Sequence, residues 1–291
     1  LPFPLRVPVS GEASFDARTT EVFDQRDVAS VDVLFVIDNS CSMQDDQQAL
    51  AANAETFIRE ADLREANYRI GVTTTSEWPD QGRLVGPVID RDRLTGDEVV
   101  AEFQRQARVG TGGSGIEEGA ASVVAALRKA ERGNQPNAEL LRPGASLAVI
   151  IVTDEDDSSP APMLSYYRDI IDVAPEDLVF AVVSGGSSGC GTALPTPRYQ
   201  ALLGLTGGDH VSICDDWGEN LEELGEAAFA PLSEFELRAP PEPTLPVEVS
   251  IDGQRVEPSS WSRADGGRAI VFDEPPPPRS RVEVSYVPQC R

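Results

Sequence analysis

The sequence is poor in positive charge. Its 291 residues include 24 Lys and Arg against 49 Asp and Glu, a net charge of −25 at pH 7. Lys occurs once, at Lys129. This balance argues against nucleic acid as a partner, because a phosphate backbone requires a basic face. Histidine is as scarce: His210 stands alone and reads as a strand-end residue. A site built on two imidazoles, which covers most catalytic zinc centres, is therefore excluded. None of the four cysteines, Cys41, Cys190, Cys214 and Cys290, falls in a C-x-x-C pair, so zinc ribbons and thioredoxin-like motifs are excluded too. No apolar run approaches the roughly 18 residues of a membrane helix. No charged-then-apolar leader opens the chain, and Leu1 reads as a trimmed start.

Apolar residues make up 40% and charged residues 25%, the balance of a globular chain. The length suits two domains, or one large domain with a small appendage. Residues 1–28, with Pro2, Pro4 and Pro8, read as an N-terminal arm or edge strands. From Val31 to Ile37 the chain is almost wholly apolar and rich in β-branched residues, as in a strand buried on both faces of a parallel sheet. Residues 147–152 (LAVIIV) and 178–183 (LVFAVV) repeat that texture, and residues 68–74 form a further strand. Helical spacing of apolar residues lies between them, over residues 50–61, 95–109, 116–132, 163–173 and 217–229. Strands alternating with helices predict an α/β domain over residues 29–232, a doubly wound, mainly parallel sheet flanked by helices. Residues 233–291 change texture. A proline-rich connector leads to alternating strands such as Val247 to Ile251 and an Asp252-Gly253 turn, which predicts a small antiparallel β unit.

Ligands of open α/β sheets sit at the carboxyl ends of the strands. Three oxygen-rich loops converge on that edge: Asp38-x-Ser40-x-Ser42, the loop over residues 110–115 with Thr111 and Ser114, and Thr153-Asp154. Carboxylates and small hydroxyls, with no imidazole or thiolate pair, make a site for a hard cation, Mg²⁺ before Ca²⁺. Any one loop alone reads equally well as a helix cap. Glu155, Asp156 and Asp157 read as a solvated acidic turn, since no EF-hand spacing follows. The G-x-G-x-x-G at residues 110–115 follows a helix and not a strand, which excludes a dinucleotide fingerprint. The G-x-S-x-G at residues 185–189 lacks the helix and downstream acid and His of a nucleophile elbow. Trp78, near the strand-end edge, is a candidate binding contact. Cys190 and Cys214 lie after neighbouring strands, close enough for a disulfide. Whether Cys41 and Cys290 pair stays open.

The run VLFVIDNSCSM resembles the metal-ion-dependent adhesion site of von Willebrand factor A domains, and the resemblance covers about 200 residues. It implies that Asp38, Ser40, Ser42 and Asp154 hold a divalent ion, Mg²⁺ with Mn²⁺ or Ca²⁺ as alternatives. It implies a hydroxyl from the second loop, at the place of Ser114, with Thr111 as the rival. The texture is similar to bacterial secreted or surface members. The expected function is an extracellular, cell-surface or periplasmic adhesion module that is not an enzyme. Its metal would hold an acidic side chain of a protein partner. The alternatives are a self-assembling structural subunit of a surface assembly and, less favoured, a metal-dependent hydrolase.

Overall fold

A strand covered on both faces must be apolar at successive positions. The apolar runs at residues 31–37 and 147–152 accordingly lie side by side in a parallel sheet. The computed structural model describes residues 18–25, 30–77, 81–173, 178–229 and 231–289. The chain divides into two units, Arg26–Pro231 and a second that joins the N-terminal stretch through Gln25 to Leu232–Arg291. The first strand, β1 (Thr19–Asp24), belongs to the second unit.

The larger unit runs β2 (Ser30–Ile37), α1 (Gln44–Ala52), α2 (Ala54–Leu63), β3 (Asn67–Thr74), β4 (Ile89–Asp90), α3 (Gly96–Ala107) and α4 (Gly119–Glu131). It continues with β5 (Ser146–Val152), α5 (Met163–Val173), β6 (Leu178–Ser184), α6 (Pro197–Thr206), β7 (Asp209–Ser212) and α7 (Trp217–Phe229). Among the described residues its sheet has the order β4-β3-β2-β5-β6-β7. All neighbours are parallel except β3 and the short β4. This is the α/β architecture the sequence predicts. Val31, Val33, Phe35 and Ile37 of β2 pack into the layer that holds Leu50, Phe57, Phe103 and Leu221, from α1, α2, α3 and α7. Leu34 and Val36 join the opposite layer with Val123, Ile170 and Leu202 from α4, α5 and α6. Alternation to two dry faces explains why the run carries so few polar residues.

Two helices differ from their sequence patterns. The helix over residues 50–61 is interrupted at Asn53 (φ −100°, ψ 8°), which separates α1 from α2. The helix expected from residue 116 begins only at Gly119, so residues 116–118 belong to the loop before it. The chain leaves β2 for β3 and β4, then returns to β5 on the other side of β2. The loops after β2 and β5 therefore depart in opposite directions, which opens a crevice at their carboxyl ends.

In the second unit the other strands are β8 (Glu234–Glu236), β9 (Glu248–Ile251), β10 (Gln254–Arg255), β11 (Trp261–Ala264), β12 (Ala269–Phe272) and β13 (Arg281–Tyr286). They form antiparallel sheets of order β1-β13-β9-β10 and β11-β12-β8. Phe235, Val249, Ile270, Phe272, Val282, Val284 and Tyr286 make its core. Asp252 (φ 51°) and Gly253 (φ 77°) close the β9–β10 hairpin. Both positions are left-handed, the conformation an Asp-Gly hairpin turn requires.

One acid interrupts the apolar run of β2. Asp32 is 1% exposed, and burial raises its pKa against the pull of Arg142. Arg142 donates to Asp32 from its backbone N–H at 2.6 Å and from Nε at 2.7 Å. Its guanidinium also donates to the Val31 carbonyl at 3.0 Å. Arg142→Ala takes from a buried carboxylate its hydrogen-bonded counter-charge, leaving it only the charge of Arg69, and should destabilise the protein by about 3–5 kcal/mol. Arg59→Ala, at a half-exposed side chain, should change stability by no more than about 0.5 kcal/mol. Urea unfolding of both variants checks this, and equal losses would remove the ion pair as the cause.

Candidate metal centre

Asp38 is the first residue beyond β2. Its N–H donates to the Val152 carbonyl at 2.9 Å, which extends the β2–β5 ladder by one step. Its side chain is fully buried. Oδ1 accepts the Ser40 N–H at 2.7 Å and Oδ2 accepts the Thr153 hydroxyl at 2.7 Å. The Ser40 and Ser42 hydroxyls stand 3.0 Å apart. Gln47 of α1 ties this loop to the second one. Its Nε2 donates to the Asp38 and Gly110 carbonyls at 2.8 and 2.9 Å, and its Oε1 accepts the Gly110 N–H at 3.1 Å.

Asp154 follows β5 and is 6% exposed. Ser42 donates a hydrogen bond to its carboxylate, while Oδ1 has no partner among the described residues. Its carbonyl accepts the Leu194 N–H at 2.8 Å. Leu194 lies in a loop folded back by the paired residues Cys190 and Ala193. The expected Cys190–Cys214 disulfide is present and closes that loop, with Cα atoms 6.2 Å apart. Cys41 is exposed and has no disulfide partner among the described residues. Cys290 and Trp78 lie outside the described residues.

The second loop packs against the first through Asn39, whose carbonyl accepts the Gly113 N–H at 2.9 Å. A Cβ at Gly113 would fall 2.2 Å from Asn39 Oδ1, so any other residue there would push the Asn39 amide out of its place. Asn39 Oδ1 accepts the Ser76 hydroxyl at 2.7 Å, and Ser76 Oγ accepts the Ser114 N–H at 3.2 Å. Ser114 Oγ accepts the Ile116 N–H at 3.0 Å. Thr111 is exposed on the same loop. Asp38, Ser40, Ser42 and Asp154 are thus joined by hydrogen bonds and charge, while among the described residues Ser114 reaches them only through Ser76 and Asn39.

Two further acids belong here that the sequence reading did not single out. Glu117 is 1% exposed. Its carboxylate lies against Asp38, and Oε2 accepts the Thr75 hydroxyl. Burial, then the Asp38 charge, pushes its pKa up to about 8. Asp46 on α1 is raised to about 6, by burial and then by the charges of Asp154 and Asp45. Burial also raises Asp154 and Glu155, with Asp38 adding to both. Among the described residues no Arg or Lys contributes to these shifts. Glu117 is legible as a site residue only if residues 116–118 are read as loop. Asp156 and Asp157, expected in a solvated turn, are instead structural. Asp157 is 3% exposed, accepts the Ala120 N–H at the start of α4 at 2.9 Å, and pairs with Arg198 at 3.2 Å. Asp156 accepts the Arg198 N–H at the start of α6 at 3.0 Å.

The donors are carboxylate and hydroxyl oxygens, which suit a hard divalent cation, and the unpartnered Asp154 Oδ1 is the atom such an ion would satisfy. Among the described residues no three acidic, His or Cys side chains converge as a cage. The fit therefore rests on two carboxylates with hydroxyls and water.

A family model for the von Willebrand factor type A domain matches residues 32–224. The pilus adhesin SpaC of Lactobacillus rhamnosus GG is similar in structure at 11% identity and TM-score 0.47, over 92% of this chain and 41% of that one. A von Willebrand factor type A structure from Catenulispora acidiphila matches at 13% and 0.46, over 92% and 64%. Proximal thread matrix protein 1 of the mussel byssus matches at 11% and 0.46, over 75% and 51%. The chain thus spans less than two thirds of each of these structures. Comparison with curated proteins gives no match.

Without a divalent ion the protein should lose stability as pH rises. Glu117 and Asp46 hold protons more tightly folded than unfolded, so protonation favours the fold. That contribution is complete below the ordinary carboxylate range and is lost as pH passes about 6 for Asp46 and about 8 for Glu117. Thermal unfolding in EDTA should show Tm falling across this window, and Glu117→Gln should flatten its upper part. A wild-type Tm that rises with pH over the same range would contradict the crowding of these acids.

Proposed function

Since the chain belongs to the von Willebrand factor type A domain family over residues 32–224, we propose that it is a protein-binding module of the adhesion type. It uses a Mg²⁺ ion at the crevice between β2 and β5, with Mn²⁺ or Ca²⁺ as substitutes. Asp38, Ser40, Ser42 and Asp154 hold the ion, and an acidic side chain of the partner completes its shell. The observation that carries this reading is Asp154 Oδ1: a carboxylate oxygen, buried and unpartnered among the described residues, beside the Asp38 carboxylate and the Ser40–Ser42 hydroxyl pair. A bound divalent ion supplies positive charge and an open coordination position in a molecule of net charge −25.

The module acts outside the cytoplasm, on a cell surface or in a periplasm. The Cys190–Cys214 disulfide supports an oxidising compartment. No helix among the described residues is long and apolar enough to cross a membrane. The reading is of a binding protein and not an enzyme.

Asp154→Asn should abolish calorimetric Mg²⁺ binding with little loss of stability, since the Leu194 bond uses the main-chain carbonyl. Asp38→Ala should also abolish it, at a further cost of about 1–3 kcal/mol in stability, because the Ser40 N–H and Thr153 hydroxyl lose their buried acceptor. A partner recovered from native surface material should detach in EDTA and remain bound in NaCl above about 0.15 M. Undiminished Mg²⁺ binding in both variants would end the metal reading.

A further inference from the structure

Residues 1–17, expected from the sequence as an arm or edge strands, lie outside the described residues. They precede an open sheet edge, since β1 is the end strand of its sheet. The Gln25 N–H donates to the Ser280 carbonyl at 2.7 Å, and antiparallel pairs alternate between bonded and unbonded. Glu21 and Phe23 therefore bond β13 in the same way, while the N–H and C=O groups of Thr20, Val22 and Asp24 point to the open side. None of these groups has a main-chain partner among the described residues. Beside the edge lies a groove of about 650 Å³, lined by Thr19, Glu21, Phe23, Glu236, Arg238 and Tyr286. The Glu21 carboxylate accepts the Arg238 N–H at 3.1 Å and the Tyr286 hydroxyl. The Arg238 guanidinium, at 3.9 Å and 93% exposed, offsets little of its charge. β8, across the groove, is 3 residues long, and β1 and Gln25 side chains already hold its flanks, Glu21 the Arg238 N–H and Gln25 the Leu232 main chain.

In the sequence before β1, Leu1, Phe3, Leu5, Val7 and Val9 alternate with Pro2, Pro4, Arg6 and Pro8. Successive N–H groups of an extended chain point to opposite edges, so all three prolines remove donors from the same edge. The odd residues keep their donors and acceptors on the other edge. Such a strand is fitted to pair on one side. We propose that residues 3–8 of the same chain add to the open edge of β1 as an antiparallel strand, with Arg6 opposite Glu21. This register brings Arg6 to the Glu21 carboxylate at the groove, and a shift of two residues either way puts a proline there instead. It also sets Leu5 opposite Val22, with Phe3 and Val7 diagonal to it, which covers a side chain that is 44% exposed. Pro8 then lies beside Thr19, and residues 9–18 make the turn. The tether holds the segment near β1 at an effective concentration on the order of millimolar, which favours the chain's own segment over that of a second copy. The proline edge faces outward and offers little to a further strand. The segment thus completes the small unit and guards it against pairing with other chains.

Amide hydrogen exchange of the full chain, read by NMR, tests this on the wild type, Leu5→Pro, Pro4→Ala, Arg6→Glu and Arg6→Lys. The Thr20, Val22 and Asp24 amides should exchange about tenfold or more slowly in the wild type than in Leu5→Pro, which loses an N–H on the pairing edge. Pro4→Ala restores an N–H on the outer edge only and should keep wild-type protection. Arg6→Glu should lose protection and Arg6→Lys should keep it. The Glu21 and Phe23 amides, bonded to β13, should stay protected in every variant, which shows that β1 itself is intact. Thr20, Val22 and Asp24 exchanging as fast in the wild type as in Leu5→Pro would overturn the added strand. Equal loss in Pro4→Ala would overturn the one-edged pairing. Protection that disappears on dilution, together with a dimer seen by light scattering, would overturn the chain's own segment as occupant and give the edge to a second copy.

Discussion

The bond from the Asp38 N–H to the Val152 carbonyl is the contact on which the site depends. It is the last step of a parallel ladder that pairs Ile37 with Val152. Parallel strands end at the same edge, so a matched register brings Asp38 and the Thr153-Asp154 pair out side by side. A slip of one residue would turn every side chain of β2 to the opposite layer. Phe35, 5.2 Å from Phe57 and 4.8 Å from Phe103, would then leave the aromatic cluster it fills. Packing at the middle of the strand therefore fixes the position of the carboxylates at its end.

Buried acids of this chain fall into two groups, and the difference separates structure from site. Asp32 is answered by Arg142 at 2.7 Å, Asp90 by Arg69 at 3.1 Å and Arg93 at 3.3 Å, and Asp157 by Arg198 at 3.2 Å. Glu117 and Asp154 have no such counter-charge among the described residues: burial raises both, and the charges that add to it are those of other acids, Asp38 above all. Two like charges about 4 Å apart repel by about 4 kcal/mol at an effective dielectric of about 20, against a total stability of about 5–15 kcal/mol for a domain. A fold that supplies Arg to several buried carboxylates and withholds it from a cluster at a strand edge leaves that cluster to be neutralised from outside, by protons or by a cation.

The sheet was legible because its strands carry long apolar runs, a pattern few other structures produce. The Asp38-x-Ser40-x-Ser42 and Thr153-Asp154 segments were legible because each follows such a strand directly. The Cys190–Cys214 bridge followed from the same strand order. Glu117 was not, since residues 116–118 fit a helical pattern that continues into α4. The hold of Thr75 on both the Glu117 side chain and the Glu118 N–H keeps them out of the helix, and Thr75 is more than forty residues away in sequence. Asp157 was misread for a related reason. Its partners, the Ala120 N–H and Arg198, come from elements on either side of it in the chain, and an acidic run carries no mark of which member a distant arginine will reach.

Each loop of the site is fixed by bonds that do not consume its free oxygens. Gln47 clasps the Asp38 and Gly110 main chains, and Leu194 holds the Asp154 carbonyl from a loop closed by the disulfide. Thr75 and Ser158 fix the residues around Glu117 from opposite flanks of the sequence. Main-chain satisfaction gives the loops rigidity at no cost to ligand-binding capacity, while Asp154 Oδ1 stays without a partner among the described residues. Had this oxygen been turned to a local N–H group, as the carboxylate oxygens of Asp157 are, the edge would be more stable and would have less left to offer a cation. A site held this way needs little reorganisation when its ligand arrives, so less of the interaction energy is lost to ordering the loops.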